Sequence, residues 1–389
     1  MEEFKPKLIA VTARAPYPLN SGGRIATYNS LISLSAIYKI KLYIITDESI
    51  DQETIAHLQN KLHSVFVYKK SRLLSYFDSL RFLFMAKPMQ LGYFHSENLK
   101  QIIEEENNLE SDYFIGFVLR TANYGAKFKS KRFIYSIDSM YLNYKNSVKN
   151  TKNIIWKNVY RLESLLLKKF ELSVVRDFDK ISYVNPNEAE FWMKHGNVKC
   201  IPHGFDKIDN QKIAISKEYE NSIVFIGRMD YKPNIIAVEW FIENVISSLN
   251  NDINLIIIGG YANDSLVKNL SNTRVKFLGF IKNPNSIIKS SLCSVAPMMT
   301  GGGLQTKIIK SFSLGSIVVM SKLAAKPVLN FVHLKHGFIS ESPKEYIDTI
   351  NGIYKDKTKY TSIKKESFLL FEKNYENSII EKSLIKYFT

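Results

Sequence analysis

The stretch Val295-Ala-Pro-Met-Met-Thr-Gly-Gly-Gly-Leu-Gln-Thr-Lys-Ile-Ile-Lys-Ser-Phe-Ser-Leu-Gly315, continued by Ser316-Ile-Val-Val-Met320, decides the fold. It reads as a short apolar strand, three glycines, an amphipathic helix, a stopping glycine and another strand. Gly301, Gly302 and Gly303 carry no side chains, so a ligand can come close to the backbone there. A helix expected from Leu304 turns its unbonded amides toward that ligand, and such a terminus attracts phosphate. Leu304, Gln305, Thr306 and Lys307 therefore join the glycines as candidate binding positions. Leu304, Ile308, Ile309 and Phe312 form a face that packs on a sheet, and Gly315 is a natural stop. Ile317, Val318 and Val319 read as a buried parallel strand. Three glycines also occur in plain loops. Their position late in an alternating α/β half, where strand ends face a crevice, favours a ligand site.

Outward from this stretch, the chain is long enough for two domains of similar size, at 389 residues. Its 45% hydrophobic and 23% charged residues suit a globular protein. The net charge of +16 comes mostly from lysine and suits anionic lipid or nucleotide-linked substrates. Aromatic-plus-arginine motifs are missing, which ranks nucleic acid last as a partner. Cys200 and Cys293 read as reduced core thiols without metal spacing. The first residues do not read as a signal peptide, and no apolar run approaches the roughly 20 residues of a membrane span. The expectation is a cytoplasmic protein attached peripherally, if at all, to the inner face of the membrane.

The first half opens with a strand over 8–11, the loop Arg14-Ala-Pro-Tyr-Pro-Leu-Asn-Ser-Gly-Gly-Arg24, a helix over 25–37 and a strand over 40–45. This is a βαβ signature. Gly22 and Gly23 lack the three spaced glycines of the dinucleotide fingerprint, which disfavours NAD. Further strands are expected at 65–67, 113–118, 132–137, 181–184 and 198–201, with helices at 72–86, 92–107 and 152–176. The segment 145–180 interleaves Lys and Arg with Trp156, Tyr160, Leu165, Leu166, Leu167 and Phe170. Such a helix either buries its apolar side as core or lies on an acidic membrane surface. The pattern pauses at Pro202-His-Gly-Phe-Asp206, the best domain boundary. The second half repeats the rhythm with strands at 223–226, 255–258, 275–278, 294–296 and 317–319. The expected organisation is one domain over 1–205, a second over 206–367, and a C-terminal helix over 368–389 bracing the first.

With these pieces in place the chain resembles, over nearly its whole length, retaining glycosyltransferases of the GT-B fold, family 4 type. The resemblance rests on Phe225-Ile-Gly-Arg-Met-Asp-Tyr-Lys-Pro-Asn-Ile-Ile-Ala-Val-Glu-Trp-Phe241, Val275-Lys-Phe-Leu-Gly-Phe280 and the 301–315 stretch. Pro16-Tyr-Pro-Leu-Asn-Ser-Gly-Gly23 and Ile201-Pro-His-Gly-Phe-Asp206 look like the family's N-terminal loop and interdomain strand. The resemblance implies two Rossmann-like, doubly wound α/β domains facing a cleft, acceptor-side over 1–205 and nucleotide-sugar-binding over 206–367, and a nucleotide-diphosphate sugar as donor substrate.

The resemblance also implies site residues. Arg228 stands where the family places a phosphate-binding arginine, whose guanidinium can grip two phosphate oxygens. The family's phosphate lysine would fall on Pro233, with Lys232 one residue earlier, so Lys307 becomes the substitute to examine. Gly279 and Phe280 belong to the same donor-binding set, and Gly22 and Gly23 would approach the phosphates from the other domain. The family's two glutamates map to Gly302 and Lys310, and a lysine cannot accept hydrogen bonds from a ribose. Asp138 follows a strand where many relatives carry a cleft histidine; it reads as a proton acceptor or as a helix N-cap. Asp138 and Arg228 are the residues assigned to the reaction itself. His203 is expected to shape the hinge, Asp230 a turn and Glu239 a solvated helix face.

The function expected is metal-independent, retaining transfer of a hexose-type sugar to a growing surface glycan or lipid-linked acceptor, with no bound cofactor. A non-catalytic GT-B scaffold or sugar-binding partner is the competing reading, kept open by Lys310. An epimerase on a similar double fold is a weaker third.

Overall fold

The computed structural model describes residues 5–19, 21–109, 113–262, 264–270, 274–301 and 303–389. It has two compact units, one of residues up to Gly204 with Ile380–Thr389, the other Phe205–Ile379. In the first, β-branched and aromatic runs form β1 (Lys7–Thr12), β2 (Lys39–Thr46), β3 (Ser64–Lys69), β4 (Tyr113–Phe117), β5 (Lys131–Ser136), β6 (Lys180–Tyr183) and β7 (Val198–Cys200). They pair in the order β3-β2-β1-β4-β5-β6-β7, all parallel. In the second, β8 (Ser222–Ile226), β9 (Asn254–Ile258), β10 (Val275–Gly279), β11 (Cys293–Ala296), β12 (Val318–Met320) and β13 (Phe338–Ile339) pair as β10-β9-β8-β11-β12-β13, again all parallel. Parallel strands buried on both faces need apolar residues at every position. Accordingly Ile9, Ala10 and Val11 in β1, and Leu255, Ile256 and Ile257 in β9, are at most 2% exposed.

Each sheet reverses its winding once, between β1 and β4 in the first unit and between β8 and β11 in the second. The carboxyl ends of these pairs are the places where an open α/β sheet presents loops to a ligand. The helix Thr306–Ser313 follows β11 and ends in a left-handed glycine, Gly315 at φ +62. There Ser316 N donates to Ser311 O at 3.0 Å and Gly315 N to Phe312 O at 3.0 Å, the two-bond Schellman closure. This helix starts two residues later than the apolar periodicity predicts, because Gln305 is extended (φ −83, ψ 108) and serves as its N-cap position.

The C-terminal pattern expected as one helix over 368–389 is two helices, Thr361–Asn374 and Asn377–Phe388. The chain leaves the first at Tyr375 because its backbone bonds Phe205 instead: Phe205 N donates to Tyr375 O at 2.8 Å and Asn377 N to Phe205 O at 3.0 Å. Residues up to Ile379 belong to the second unit and only Ile380–Thr389 to the first. In the first unit Tyr38 Oη donates to Phe388 O at 2.6 Å, and the fully buried Phe388 ring lies 5.3 Å from Phe133.

Two buried carboxylates hold the start of the helix Met140–Asn150. Glu188 accepts from Ser139 N at 2.6 Å; Glu171 accepts from Tyr141 N at 2.9 Å and from Tyr183 Oη at 2.7 Å. Burial pushes Glu171 up to about 7 and, with the neighbouring Asp138 charge adding, Glu188 up to about 8. A carboxyl whose pKa is higher in the folded than in the unfolded chain stabilises most below its unfolded value near 4.5 and loses that contribution as pH rises through the folded one. Thermal stability of the natural chain should therefore fall between about pH 5 and about pH 8. Glu188→Gln, which keeps an acceptor for Ser139 N, should flatten that slope and melt higher at the alkaline end. A differential scanning series showing the same slope in both proteins contradicts this.

Candidate functional site

In the first unit the switch between β1 and β4 opens on a cavity of about 310 Å³. Thr12, Arg14, Gly23, Arg24, Arg120 and Ile137 are among its walls. Gly22 and Gly23 begin the helix Gly22–Ser35, whose N-cap Ser21 accepts from Arg24 N at 3.4 Å. A Cβ on Gly23 would stand 3.2 Å from Ile137 Cδ1, so glycine is what lets the helix start lie against this wall. Arg24 donates to Glu48 at 2.9 Å, and Arg14 lies 3.7 Å from the same carboxylate. Arg120 stacks its guanidinium 5.0 Å over the Phe94 ring and keeps a buried Nε with no hydrogen-bond partner. Arg14, Arg24 and Arg120 thus bring three guanidiniums to a cavity neighboured by two carboxylates, Glu48 and Asp138, and the excess positive charge suits an anion.

Asp138 sits beside this cavity, behind Ile137 in sequence, and not in its wall. Its carboxylate accepts from Asn143 Nδ2 at 2.5 Å. Burial raises its pKa, while Arg120 and Asn143 pull the other way. It is not the cap of the following helix: Ser139 is, accepting from Leu142 N at 3.3 Å. His203 is buried, which pulls it down to about 4, so the ring is neutral near neutral pH.

In the second unit the carboxyl ends of β8, β9 and β10 are stitched by backbone alone. Gly227 N donates to Ile258 O at 2.9 Å, Met229 N to Gly260 O at 3.0 Å and Gly259 N to Gly279 O at 2.8 Å. A Cβ on Gly259 would come within 1.8 Å of Gly227 O, so no side chain fits there. On this floor Arg228 projects outward, about half exposed. Asp230 accepts from its Nε at 3.0 Å and its Nη2 at 2.5 Å, and its guanidinium lies 4.8 Å over the Tyr261 ring. Asp230 is therefore more than a turn residue. It pairs with the guanidinium through two hydrogen bonds.

Beneath Arg228 runs a buried polar chain that sequence reasoning missed. Asn234, in the first turn of the helix Lys232–Asn244, donates to Arg228 O at 2.9 Å and accepts from Lys307 Nζ at 2.8 Å. Lys307 thus turns inward, against the expectation that it reaches a phosphate. Its ammonium lies 3.9 Å from the Phe225 ring centroid and 3.7 Å from Met298 Sδ, and burial pulls it down to about 7. The periodicity carried the signal: 307 falls between 304 and 311, on the side of the helix that meets the sheet. Lys232 is exposed at the start of its helix.

The loop after β11 lies next to these groups. Gly301 has φ +92, and a Cβ there would stand 3.7 Å from Tyr231 Oη and 3.7 Å from Pro233 Cβ. Gly302 lies outside the described residues. Gly303 is exposed with open space beside it, Leu304 packs on the core of its unit, and Gln305 Nε2 donates back to Gly303 O at 3.1 Å. Thr306 is exposed at the first helical position. Gly279 adopts φ +67 facing open space, followed by the exposed Phe280. Lys310 is half-buried in the last turn; burial lowers its pKa and the Asp206 charge opposes this. The structure thus brings Arg228, Gly301 and the Tyr231–Lys232 helix start together at one switch point, while Lys307 supports that arrangement from below.

Residues 220–356 match the family model for glycosyl transferases group 1. An uncharacterized 44.6 kDa protein in the cps region of Klebsiella pneumoniae is 22% identical, over 98% of this chain and 99% of its own. Among solved structures, Anabaena HepE in complex with UDP aligns with a TM-score of 0.68 at 12% identity, covering 98% of each chain. Sucrose-phosphate synthase from Thermosynechococcus elongatus aligns at 0.66 and 13% identity, again over 98% of each. Identities this low make the likeness to these two structures one of fold. Residues 220–356, all in the second unit, are thus similar to glycosyl transferases group 1, and the two Rossmann-like parallel-sheet units have the fold found in GT-B glycosyltransferases.

Proposed function

We propose that this protein is a retaining, metal-independent hexosyltransferase of family 4 type, drawing on a nucleotide-diphosphate sugar held by its second unit. The acceptor is a growing surface glycan or a lipid-linked precursor of one, reached by a cytoplasmic protein lying on the inner face of the membrane. The observation that carries the donor assignment is Arg228, half exposed beside a glycine loop and a helix start. Its partner Asp230 is exposed too, and an exposed ion pair is worth only about 0–1 kcal/mol. A diphosphate, taking two oxygens onto one guanidinium, is worth about 1.5–3 kcal/mol and wins the exchange. The amides at the start of the Thr306–Ser313 helix add fixed positive ends as charge builds on the departing diphosphate. Gly279 and Phe280 offer an open backbone and an aromatic face for the base. UDP-bound HepE and the cps-region relative support a nucleotide donor and a polysaccharide product.

In the first unit, Asp138 takes the acceptor proton; burial makes its carboxylate a stronger base. Arg14, Arg24 and Arg120 suit the phosphate through which a lipid-linked acceptor is joined to its carrier. Lys310 is the observation favouring the second reading, a non-catalytic scaffold. A lysine near Asp206 makes no hydrogen-bond acceptor for a ribose.

Calorimetry with nucleoside diphosphates tests the donor site. Arg228→Ala should lose about 1.5–3 kcal/mol of affinity, on the order of ten- to a hundredfold, whereas Asp230→Asn should bind as well as the natural chain or better. Unchanged affinity in a folded Arg228→Ala variant removes this assignment. For transfer itself, a screen of nucleotide sugars with native lipid extract as acceptor should show turnover that survives EDTA. Lys310→Glu sets a second carboxylate near Asp206 and should abolish transfer or change donor choice. Absence of turnover with every donor, together with absence of nucleotide binding, establishes the scaffold reading instead.

A further inference from the structure

The helix Arg72–Phe84 is built inside out. Leu73, Tyr76, Phe77, Leu80 and Phe84 recur at i, i+3, i+4, i+7 and i+11, the spacing of a core-facing stripe, yet each is between 53% and 89% exposed. Its inward face is Ser75, Asp78, Ser79 and Phe82. The orientation is fixed by buried polar bonds. Lys70 Nζ reaches Asp78 at 2.8 Å and donates to Gly92 O at 3.0 Å and His95 O at 2.7 Å. A Cβ on Gly92 would come within 2.4 Å of Asp78 O, so the helix sits directly on the next turn of chain. Rolling it to bury the apolar stripe would strand Lys70 and Asp78.

A second stretch of the same unit repeats the arrangement. In the helix Ile154–Asp177, Ile154, Ile155, Trp156, Leu162 and Leu165 are exposed while Glu163 is fully buried. Glu163 accepts from Met89 N at 2.9 Å and Gln90 N at 3.0 Å, tying this helix to the turn that follows the first. The only acidic residues of 72–87 and 152–169 are Asp78 and Glu163, both turned inward. Arg81, Lys87, Arg161, Lys168 and Lys169 are exposed around the apolar side chains. Apolar area of this extent on a globular unit marks an interaction surface.

We infer that these two helix faces, led by Arg72–Phe84, seat the protein in an anionic lipid leaflet, with the aromatic and leucine side chains among the acyl chains and the basic rim at the headgroups. A second copy fits worse: a twofold contact would press the two basic rims together with no exposed carboxylate of these stretches to offset them. Among the described residues no helix is long and apolar enough to cross a membrane, so the contact is one of lying on the surface. The inference rests on the membrane part of the proposed function and moves its centre from 145–180 to a helix outside that segment.

Sedimentation with vesicles of phosphatidylglycerol and phosphatidylcholine, against phosphatidylcholine alone, tests it on the full chain. The natural protein should partition to the anionic vesicles, less so in high salt. The triple variant Leu73→Ser, Phe77→Ser, Phe84→Ser should bind them roughly tenfold or more weakly, since three large apolar side chains are lost. Its melting temperature and nucleotide affinity should be unchanged, because these side chains point away from the unit's core. Vesicle binding equal in variant and natural chain overturns the assignment of this helix while leaving the membrane reading and the 145–180 segment standing. Binding to neither vesicle overturns both. Light scattering that shows a dimer dispersed by the triple variant, without lipid binding, assigns the face to a second copy and likewise overturns the inference. Nucleotide binding is measured separately, so loss of the transferase reading would be visible on its own.

Discussion

The Lys307 ammonium, buried between Phe225, Met298 and Asn234, is the contact on which the second unit's site depends. A cation removed from water is costly unless its environment compensates, and here an aromatic face and one amide oxygen offset only part of that cost, leaving the pKa at about 7. Asn234 turns its other end to Arg228 O, so one side chain links a buried lysine to the backbone of an exposed arginine. Gly227 is part of the same fit, since a Cβ there would fall 2.6 Å from Asn234 Nδ2. The result is an arginine on a rigid backbone with a guanidinium that is lightly held. That combination suits a group that must meet a diphosphate and release it again.

The first unit uses the same device with the sign reversed. Glu171 and Glu188 are buried carboxyls whose oxygens receive backbone amides at the start of one helix, and they fix Asp138 just ahead of it. Lys70 does this for the Arg72–Phe84 helix and Glu163 for the turn after it. In each case a buried titratable group satisfies backbone that would otherwise be orphaned, and so decides which face of an element looks outward. Satisfying these groups leaves the apolar face of one helix in solvent.

Most of the fold was legible because parallel strands announce themselves. Runs such as Leu42-Tyr-Ile-Ile45 and Leu255-Ile-Ile-Ile258 have no alternative partner for so much apolar surface, and every strand but β13 is expected within a residue or two of its place. The exception, Phe338–Ile339, is a two-residue edge strand with no periodicity to read. Local ends were less legible: Ser139, not Asp138, caps its helix, because the cap is whichever oxygen reaches the free amide. Side-chain pairings separated along the chain could not be read at all. Arg120 enters its cavity from the 3-10 helix Leu119–Gly125 after β4, and Asn234 matters only because Lys307, 73 residues away, points at it. The inverted helix was visible as a period but not as a direction, since a hydrophobic stripe does not say whether protein or lipid covers it.

The proposed donor site is Arg228 with the loop that follows β11. The most direct measurement is the crystal structure of the full chain with a nucleoside diphosphate bound. Density for the diphosphate is expected on the Arg228 guanidinium and the amides at the start of the Thr306–Ser313 helix, with Asp230 released and Lys307 still on Asn234. A nucleotide bound elsewhere, with Arg228 still paired to Asp230, would contradict it.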